Sequence, residues 1–355
     1  MTVYASKEVE LKRVMPFLFI LSLAMIACQP ERASTLTVMT HDSFAVSEQV
    51  IRDFDQEVGV QVSFLKSGDA GAALNKAILT KDAPLADVFY GVDNTFLARA
   101  IDADIFESYR SPELSQIPAE YQLDPAARLS PVDYGDVCIN YDKAYFAAAQ
   151  LPVPESLEDL LRPEYKGLLV TSNPATSSPG LAFLLATVAH FGDPGYLDYW
   201  AGLRDNGVIV VSDWETAYYV NFSGSSGKGP QPMVVSYGSS PPAEVIFAES
   251  ELQEAPTASI VGPDTCFRQI EFVGILKGTQ ARTLAEEFID FMLGRTFQED
   301  LPLQMFVFPV NPQATLPDAF IKYAQVPEKP ASLPPADIAA NRDRWISAWS
   351  QTVLP

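Results

Sequence analysis

Hydroxyl side chains are concentrated in a short loop, Thr176-Ser177-Ser178, between an apolar run that predicts a buried strand and the start of an apolar helix. The first turn of a helix has unpaired N–H groups and a partial positive charge, so it can hold an anion. Ser177 and Ser178 add hydroxyl donors, and Pro179 suits an early helical position, where no N–H is needed. The loop is therefore either an anion site or simply the capped start of a helix.

Three aspartates, Asp42, Asp69 and Asp93, follow strand-like runs at the points where helices begin. In a parallel sheet such turns lie at one edge, and ligands of these folds bind beyond the carboxyl ends of the strands. Each aspartate taken singly is explained as a helix N-cap. Their shared edge is the observation that indicates a binding site.

Two further turns stand between a strand and a helix, Asp213-Trp214 and Tyr237-Gly238-Ser239-Ser240. They offer an indole N–H, a phenol and hydroxyls, and aromatic faces attract cations and flat rings. Trp214 or Tyr237 alone is equally explained by packing in the core. Facing three aspartates across a cleft, these groups suit a flat cationic ligand with a polar tail.

The composition argues against two classes of function. A net charge of −21, from 45 acidic and 24 basic residues, argues against nucleic acid as a partner. The chain has only two histidines, His41 and His190, and it lacks a G-x-S-x-G elbow, an H-E-x-x-H motif and a phosphate-binding glycine loop. We therefore expect a binding protein with no catalytic residues and no metal site.

Strand-like and helical runs alternate from Leu36 onward, which predicts an α/β fold with a mostly parallel sheet. Residues Ser130–Tyr141 form one long predicted strand, long enough to pass from one domain to another. Cys266–Leu276 is again strand-like and would return the chain to the first domain. An amphipathic helix near the C-terminus includes Trp345 and Trp349.

The N-terminus has the pattern of an export signal. Basic residues precede an apolar run from Val14 to Ala27, which is too short to span a bilayer comfortably. The run ends in Met25-Ile26-Ala27-Cys28, and a small residue before a cysteine at this point resembles a bacterial lipoprotein box. We expect a signal peptide over 1–27, lipidation of Cys28 and a linker over 28–35. Ordinary cleavage, an uncleaved anchor and a start at Met15 are the alternatives.

Two cysteines remain, Cys138 and Cys266. Outside the cytoplasm, thiols that meet in the fold are usually oxidised, so we expect one disulfide between them. Two buried free thiols are the alternative.

Short motifs along the chain resemble those of the thiamine-binding receptors of bacterial ABC importers, within the type II periplasmic binding protein superfamily. The resemblance runs from about Leu36 to Trp349 and is specific as an ordered set. The motifs are Thr40-His41-Asp42-Ser43-Phe44, Ala86-Asp87-Val88, Gly91-Val92-Asp93-Asn94, Asp133-Tyr134-Gly135, Thr176-Ser177-Ser178-Pro179-Gly180, Trp214-Glu215-Thr216-Ala217-Tyr218, Val235-Ser236-Tyr237, Ser240-Pro241, Phe308-Pro309-Val310 and Arg344-Trp345-Ile346-Ser347.

The resemblance implies a two-lobed α/β fold in which each lobe is a mostly parallel sheet flanked by helices and the ligand lies between the lobes. Lobe 1 would comprise 36–136 and 266–335, lobe 2 would comprise 137–265, and a C-terminal helix over 336–355 would pack on the lobes. It also implies a monomer that needs no cofactor, is exported to the periplasm or cell surface, touches the membrane only through its lipid, and delivers its ligand to an ABC permease.

The positions that match the family's ligand contacts are carried over residue by residue. Ser177, Ser178 and Trp214 would hold the hydroxyethyl or phosphate end of the vitamin, and Tyr237 and Ser240 would contact its rings. Phe306 stands where the family usually has a tryptophan wall, and His41 stands where a tyrosine is common. The full expected set is Asp42, Asp69, Ala70, Asp93, Ser177, Ser178, Trp214, Tyr237, Gly238, Ser239, Ser240 and Phe306.

Two other functions are open at this point. A ferric-ion receptor of the same superfamily would use adjacent tyrosines, and Tyr218-Tyr219 is such a pair. Neighbouring residues on a helix point about 100° apart, however, which separates the two phenols. An enzyme that acts on thiamine-type pyrimidines would need a nucleophile, and none is convincing in this sequence.

Overall fold

The structure, a computed structural model, describes residues 1–2, 35–225, 229–248 and 250–354. Cys28 and nearly all of the predicted signal peptide lie outside the described residues. The described residues from Thr35 onward belong to one compact unit. None of the helices in these ranges is long and apolar enough to cross a membrane.

Strands are spread along the whole described chain and join into one mixed sheet. They are β1 (Thr35–Thr40), β2 (Gln61–Lys66), β3 (Val88–Asp93), β4 (Phe106–Glu107), β5 (Ser130–Asp142), β6 (Leu169–Ser172), β7 (Ile209–Val211), β8 (Met233–Tyr237), β9 (Thr257–Ile260), β10 (Phe267–Leu276) and β11 (Phe308–Pro309).

Helices cover the sheet. They are α1 (Glu48–Val58), α2 (Ala70–Leu79), α3 (Leu97–Asp102), α4 (Lys143–Ala149), α5 (Ser178–Phe191), α6 (Gly195–Asp205), α7 (Pro241–Ile246), α8 (Arg282–Leu293), α9 (Arg295–Gln304), α10 (Asp318–Tyr323) and α11 (Pro335–Val353). A wide π-helical turn over Thr216–Asn221 and several short 3₁₀ turns complete the chain.

The sheet contains two parallel groups joined by antiparallel strands, and the strand order is β2-β1-β3-β10-β5-β8-β6-β7. β1 pairs in parallel with β2 and β3, and β6 pairs in parallel with β7 and β8. Between these groups, β10 and β5 run antiparallel to their neighbours. The predicted two-lobed α/β fold is confirmed, and the predicted long strands are the ones that link its halves.

Helix α11 packs against α6 through aromatic side chains that are fully buried. The rings of Trp200 and Trp349 meet edge to face with centroids 5.4 Å apart. Such edge-to-face pairs add specific geometry to a large buried apolar area.

Cys138 in β5 and Cys266, just before β10, form a disulfide in the structure. Both residues are fully buried, and the bond lies between neighbouring strands where the chain crosses between the two parallel groups. The structure therefore agrees with the predicted disulfide rather than with two free thiols.

Candidate ligand-binding site

A cavity of about 340 Å³ opens where the carboxyl ends of β1, β2, β3, β6 and β8 lead into helices or loops. Its lining combines carboxylates, aromatic rings and a few hydroxyls. The lining residues are His41, Ser43, Ala45, Asp69, Ala70, Ser178, Pro179, Trp214, Glu215, Tyr218, Tyr219, Tyr237, Ser240, Ala243, Phe247, Glu271, Gln304, Met305, Phe306 and Val307.

Asp69 lines this cavity with a largely buried carboxylate. It is the N-cap of α2, where Oδ1 accepts a hydrogen bond from the Ala70 N–H at 2.7 Å. Oδ2 is buried and makes no well-formed hydrogen bond, although the Ser177 hydroxyl lies close enough to the carboxylate to lower its pKa. Burial raises the pKa of Asp69, because a desolvated carboxylate is disfavoured. A ligand group that donates a hydrogen bond or carries positive charge would stabilise this carboxylate in its ionised form.

Asp93 lies directly behind the serine loop at the end of β3. Its carboxylate accepts hydrogen bonds from the Thr95 N–H and hydroxyl and from the Ser178 hydroxyl. Burial raises the pKa of Asp93 to about 6, although these hydrogen bonds oppose the rise. Ser178 therefore connects the start of α5 with the acidic end of β3.

A second acidic cluster lies at the floor of the cavity. The Tyr90 hydroxyl donates to Asp133 at 2.6 Å and to Glu271 at 2.8 Å. His41 Nε2 lies 3.5 Å from Glu271 Oε1. Burial opposes the charged form of both partners, yet their attraction raises the pKa of His41 and lowers the pKa of Glu271. Burial and the Glu271 charge together raise the pKa of Asp133 well above its usual range.

Aromatic side chains form the opposite wall. The Trp214 indole stacks on Tyr218 with centroids 5.2 Å apart, and its N–H donates to the Ser236 hydroxyl at 3.0 Å. The Tyr237 hydroxyl donates to Gln269 at 3.0 Å, which fixes the plane of its ring. The wall thus offers flat faces whose orientations are set by hydrogen bonds.

Phe306 and Phe247 meet at the rim of the cavity, with ring centroids 5.5 Å apart. Phe306 has φ of +55°, a left-handed conformation that is costly for a bulky side chain. Phe247 follows α7 and is 70% exposed. The strained backbone directs an aromatic ring toward the site.

The chain matches the family of bacterial extracellular solute-binding proteins over residues 83–330. It belongs to this family. The thiamine-binding periplasmic protein of Brucella suis is 29% identical over 347 residues, which cover 95% of this chain and 98% of that protein.

Two solved structures show how far the similarity in fold extends. A periplasmic thiamin-binding protein superposes with a TM-score of 0.78 at 27% identity, covering 92% of this chain and 100% of its own. The apo ferric ion-binding protein A of Pasteurella haemolytica has a TM-score of 0.71 at 18% identity, covering 90% of this chain and 98% of its own. The second likeness is one of fold alone. Family and fold together place this chain among binding proteins rather than enzymes.

Seven of the predicted contact residues of this solute-binding protein line the cavity: Asp69, Ala70, Ser178, Trp214, Tyr237, Ser240 and Phe306. Asp42 instead lines a smaller adjoining cavity of about 40 Å³, together with Asp69, Asp213 and Glu215. Asp93, Ser177 and Ser239 are fully buried behind the wall, and Gly238 bonds through its backbone to Asp136 and Gln325. Contact between these residues and a ligand stays a prediction.

Thirteen lining residues were not in the predicted set, among them His41, Glu271 and Phe247. Glu271 had a detectable signal, because it is a charged residue within the apolar strand Ile270-Glu271-Phe272-Val273. His41 lay within a recognised motif but at a position where the family commonly has another residue. Nothing local distinguishes Phe247, since its place depends on the approach of the Phe306 loop.

Tyr218 and Tyr219 both line the cavity, but the planes of their rings are inclined by 82° to each other. The Tyr218 hydroxyl is committed to Glu244 at 2.8 Å, and burial raises its pKa well above the usual range. Iron binding through phenolates would require the opposite shift. Over the part of the chain that the structure describes, no group of three or more His, Cys, Asp or Glu side chains could hold a metal ion.

Proposed function

We propose that this solute-binding protein binds thiamine or one of its phosphate esters. Thiamine has two flat rings, one of which carries a positive charge, and a hydroxyethyl tail. The observation that carries the proposal is the buried Asp69 carboxylate in a cavity walled by Trp214 and Tyr237. A carboxylate and aromatic faces both favour a flat cation. Relatives that match nearly the whole chain are named as thiamine-binding proteins, which supports the same ligand class.

The polar end of the ligand would lie against Ser178 and Ser240, near the first turn of α5. Hydroxyls and helix N–H groups suit an alcohol and a phosphate alike. Phe306 would close the ring site from the rim. Binding contacts made to both lobes at once would favour a closed arrangement.

In the cell, the protein would deliver its ligand to an ABC-type permease. We propose that it is exported, acts as a monomer in the periplasm or at the cell surface, and is held to the membrane through lipidated Cys28. Its lobes would be 36–136 with 266–335, and 137–265. The protein itself would need no cofactor.

Isothermal titration of the purified protein with thiamine, thiamine monophosphate, thiamine diphosphate and ferric citrate tests this proposal. We expect one-to-one binding of at least one thiamine form and no binding of iron. Binding of iron alone, with the colour of a tyrosinate complex, would contradict the proposal and assign the site to Tyr218 and Tyr219.

A further inference from the structure

His41 is the only basic side chain among the described residues that line the cavity. Three acidic side chains, Asp69, Glu215 and Glu271, share that lining. A ligand with a fixed positive charge would therefore enter a site that already contains one titratable cation. The two positive charges would compete for the same carboxylates.

The position of His41 is fixed by close packing. Its side chain is only 9% exposed, and its ring lies 5.7 Å from the ring of Tyr90. A Cβ atom on Gly91 would lie 2.5 Å from His41 Cδ2, so only glycine leaves room for the imidazole here. The imidazole has no space on this side to move away from an approaching cation.

The charged and titratable groups that face His41 come from several elements. Glu271 on β10 and Asp69 at the start of α2 favour its protonated form, and Lys66 at the end of β2 disfavours it. Lys66 Nζ is bonded to the Asp42 carbonyl at 2.7 Å. On β3, the Tyr90 hydroxyl bonds to Asp133 and Glu271, and Asp93 lies at the end of the same strand.

Glu271 already has a neighbour at each carboxylate oxygen. Its Oε2 accepts the Tyr90 hydroxyl at 2.8 Å, and its Oε1 lies 3.5 Å from His41 Nε2, so a cation that reaches this carboxylate comes close to the imidazole. Like charges held close together in a buried site disfavour each other strongly, because little solvent screens them.

We propose that His41 is the charge-selecting residue of this site: a cationic ligand takes the place of the His41 proton beside Glu271, and that proton leaves to the solvent. The inference rests on the proposed function. It assigns the site to ligands with a fixed positive charge, because a neutral ligand would displace no proton. Cation binding then weakens as the pH falls and His41 becomes protonated.

Calorimetry at pH 6.5 in buffers that differ in ionisation enthalpy counts the protons released per thiamine bound. We expect the wild-type protein to release close to one proton and the His41→Gln variant to release almost none. The matched control is His190→Gln, which removes the only other histidine. His190 lies outside the cavity between Glu158 and Asp264, so this variant should behave as the wild type.

Affinity measured against pH gives a second readout. Below the pKa of His41, wild-type affinity should fall by up to about tenfold per pH unit, the limit for one linked proton. The His41→Gln variant should show a much flatter profile. Proton NMR of the wild-type protein avoids any folding defect of the variant: of its two histidine signals, that of His41 alone should show a lower pKa when thiamine is bound.

Wild-type binding without proton release would overturn the inference while leaving the proposed function intact. Undiminished release in His41→Gln would also overturn it and assign the proton to Asp69, Asp93 or Asp133. Absence of thiamine binding even at pH 8 would instead contradict the proposed function itself. The outcomes are therefore distinguishable.

Discussion

At the scale of single residues, Asp69 has two roles that one substitution can separate. Oδ1 caps α2, whereas Oδ2 takes no part in the cap and makes no well-formed hydrogen bond. Asparagine caps helices about as well as aspartate, so Asp69→Asn should fold normally. It loses the charge, and we expect thiamine affinity to fall about tenfold or more, as for a hydrogen bond to a charged group. Titration calorimetry checks this; Asp53→Asn on exposed α1 is the control, and unchanged affinity would remove Asp69 from the site.

Trp214 can be tested in the same way for its ring and its N–H separately. Trp214→Ala removes the face that stacks on Tyr218, and we expect a loss of at least tenfold in affinity. Trp214→Phe keeps a ring but removes the hydrogen bond to Ser236, so it should lose less. Quenching of intrinsic fluorescence by the ligand in wild type, and titration calorimetry of both variants, measure the effect. Equal affinities in all three proteins would mean that the indole packs in the core and does not contact the ligand.

At the scale of secondary-structure elements, the turn from β6 into α5 depends on Gly180. A Cβ atom at this position would lie 2.3 Å from the Ser172 carbonyl oxygen, a contact with backbone that cannot easily move. Gly180→Ala should therefore destabilise the protein by about 1–3 kcal/mol, as overpacking does. Gly195→Ala at the start of α6 is the matched control, because its nearest neighbour would be Phe191 Cβ at 3.7 Å. Denaturant unfolding compares the two, and equal stability would contradict the packing argument.

Elements set by local pattern were predictable from the sequence. The long strand predicted from Ser130 is β5, and the strand predicted over Cys266–Leu276 is β10, because both runs are rich in β-branched and aromatic residues. The helix expected after the Asp213-Trp214 turn is instead a π-helical turn over Thr216–Asn221, and the Thr216 N–H bonds to the Asp213 side chain at 2.7 Å. Capping patterns alone do not distinguish such a turn from an α-helix.

The candidate site was predictable only in part, because some of its residues are brought together from distant positions in the sequence. Asp69, Ser178, Trp214 and Ser240 each follow a strand, so the rule that ligands bind beyond strand ends identified them. Glu271 lies inside a strand, and its place beside His41 follows from the pairing of β10 with β3 and β5. Such non-local pairings leave no pattern in a single stretch of sequence.

At the scale of the whole molecule, buried titratable groups link stability to pH. A group whose pKa is raised on folding stabilises the fold below its unfolded pKa, and this stability is lost as the pH rises through the folded pKa. The pKa of His41 is raised, so its contribution is lost as the pH rises through a folded-state pKa that lies above the usual 6.5 of a histidine. Asp93 rises from 3.8 to about 6, so its contribution is lost between those values. Asp133 acts in the same direction.

The unliganded protein should therefore become more stable as the pH falls from 8 to about 5, with a gain in Tm on the order of 5 °C. Further acidification should reverse the trend, because Asp124 and Asp159 have lowered pKa values through hydrogen bonds that protonation removes. Thermal unfolding across this pH range tests the prediction, and His190→Gln controls for the exposed histidine. Asp93→Asn should flatten the rise between pH 6 and 5. A Tm that is highest at pH 8 would show that these buried carboxylates ionise without cost. Bound thiamine should raise Tm more at pH 8 than at pH 5, since a cation in the cavity stabilises the ionised carboxylates that the empty site disfavours.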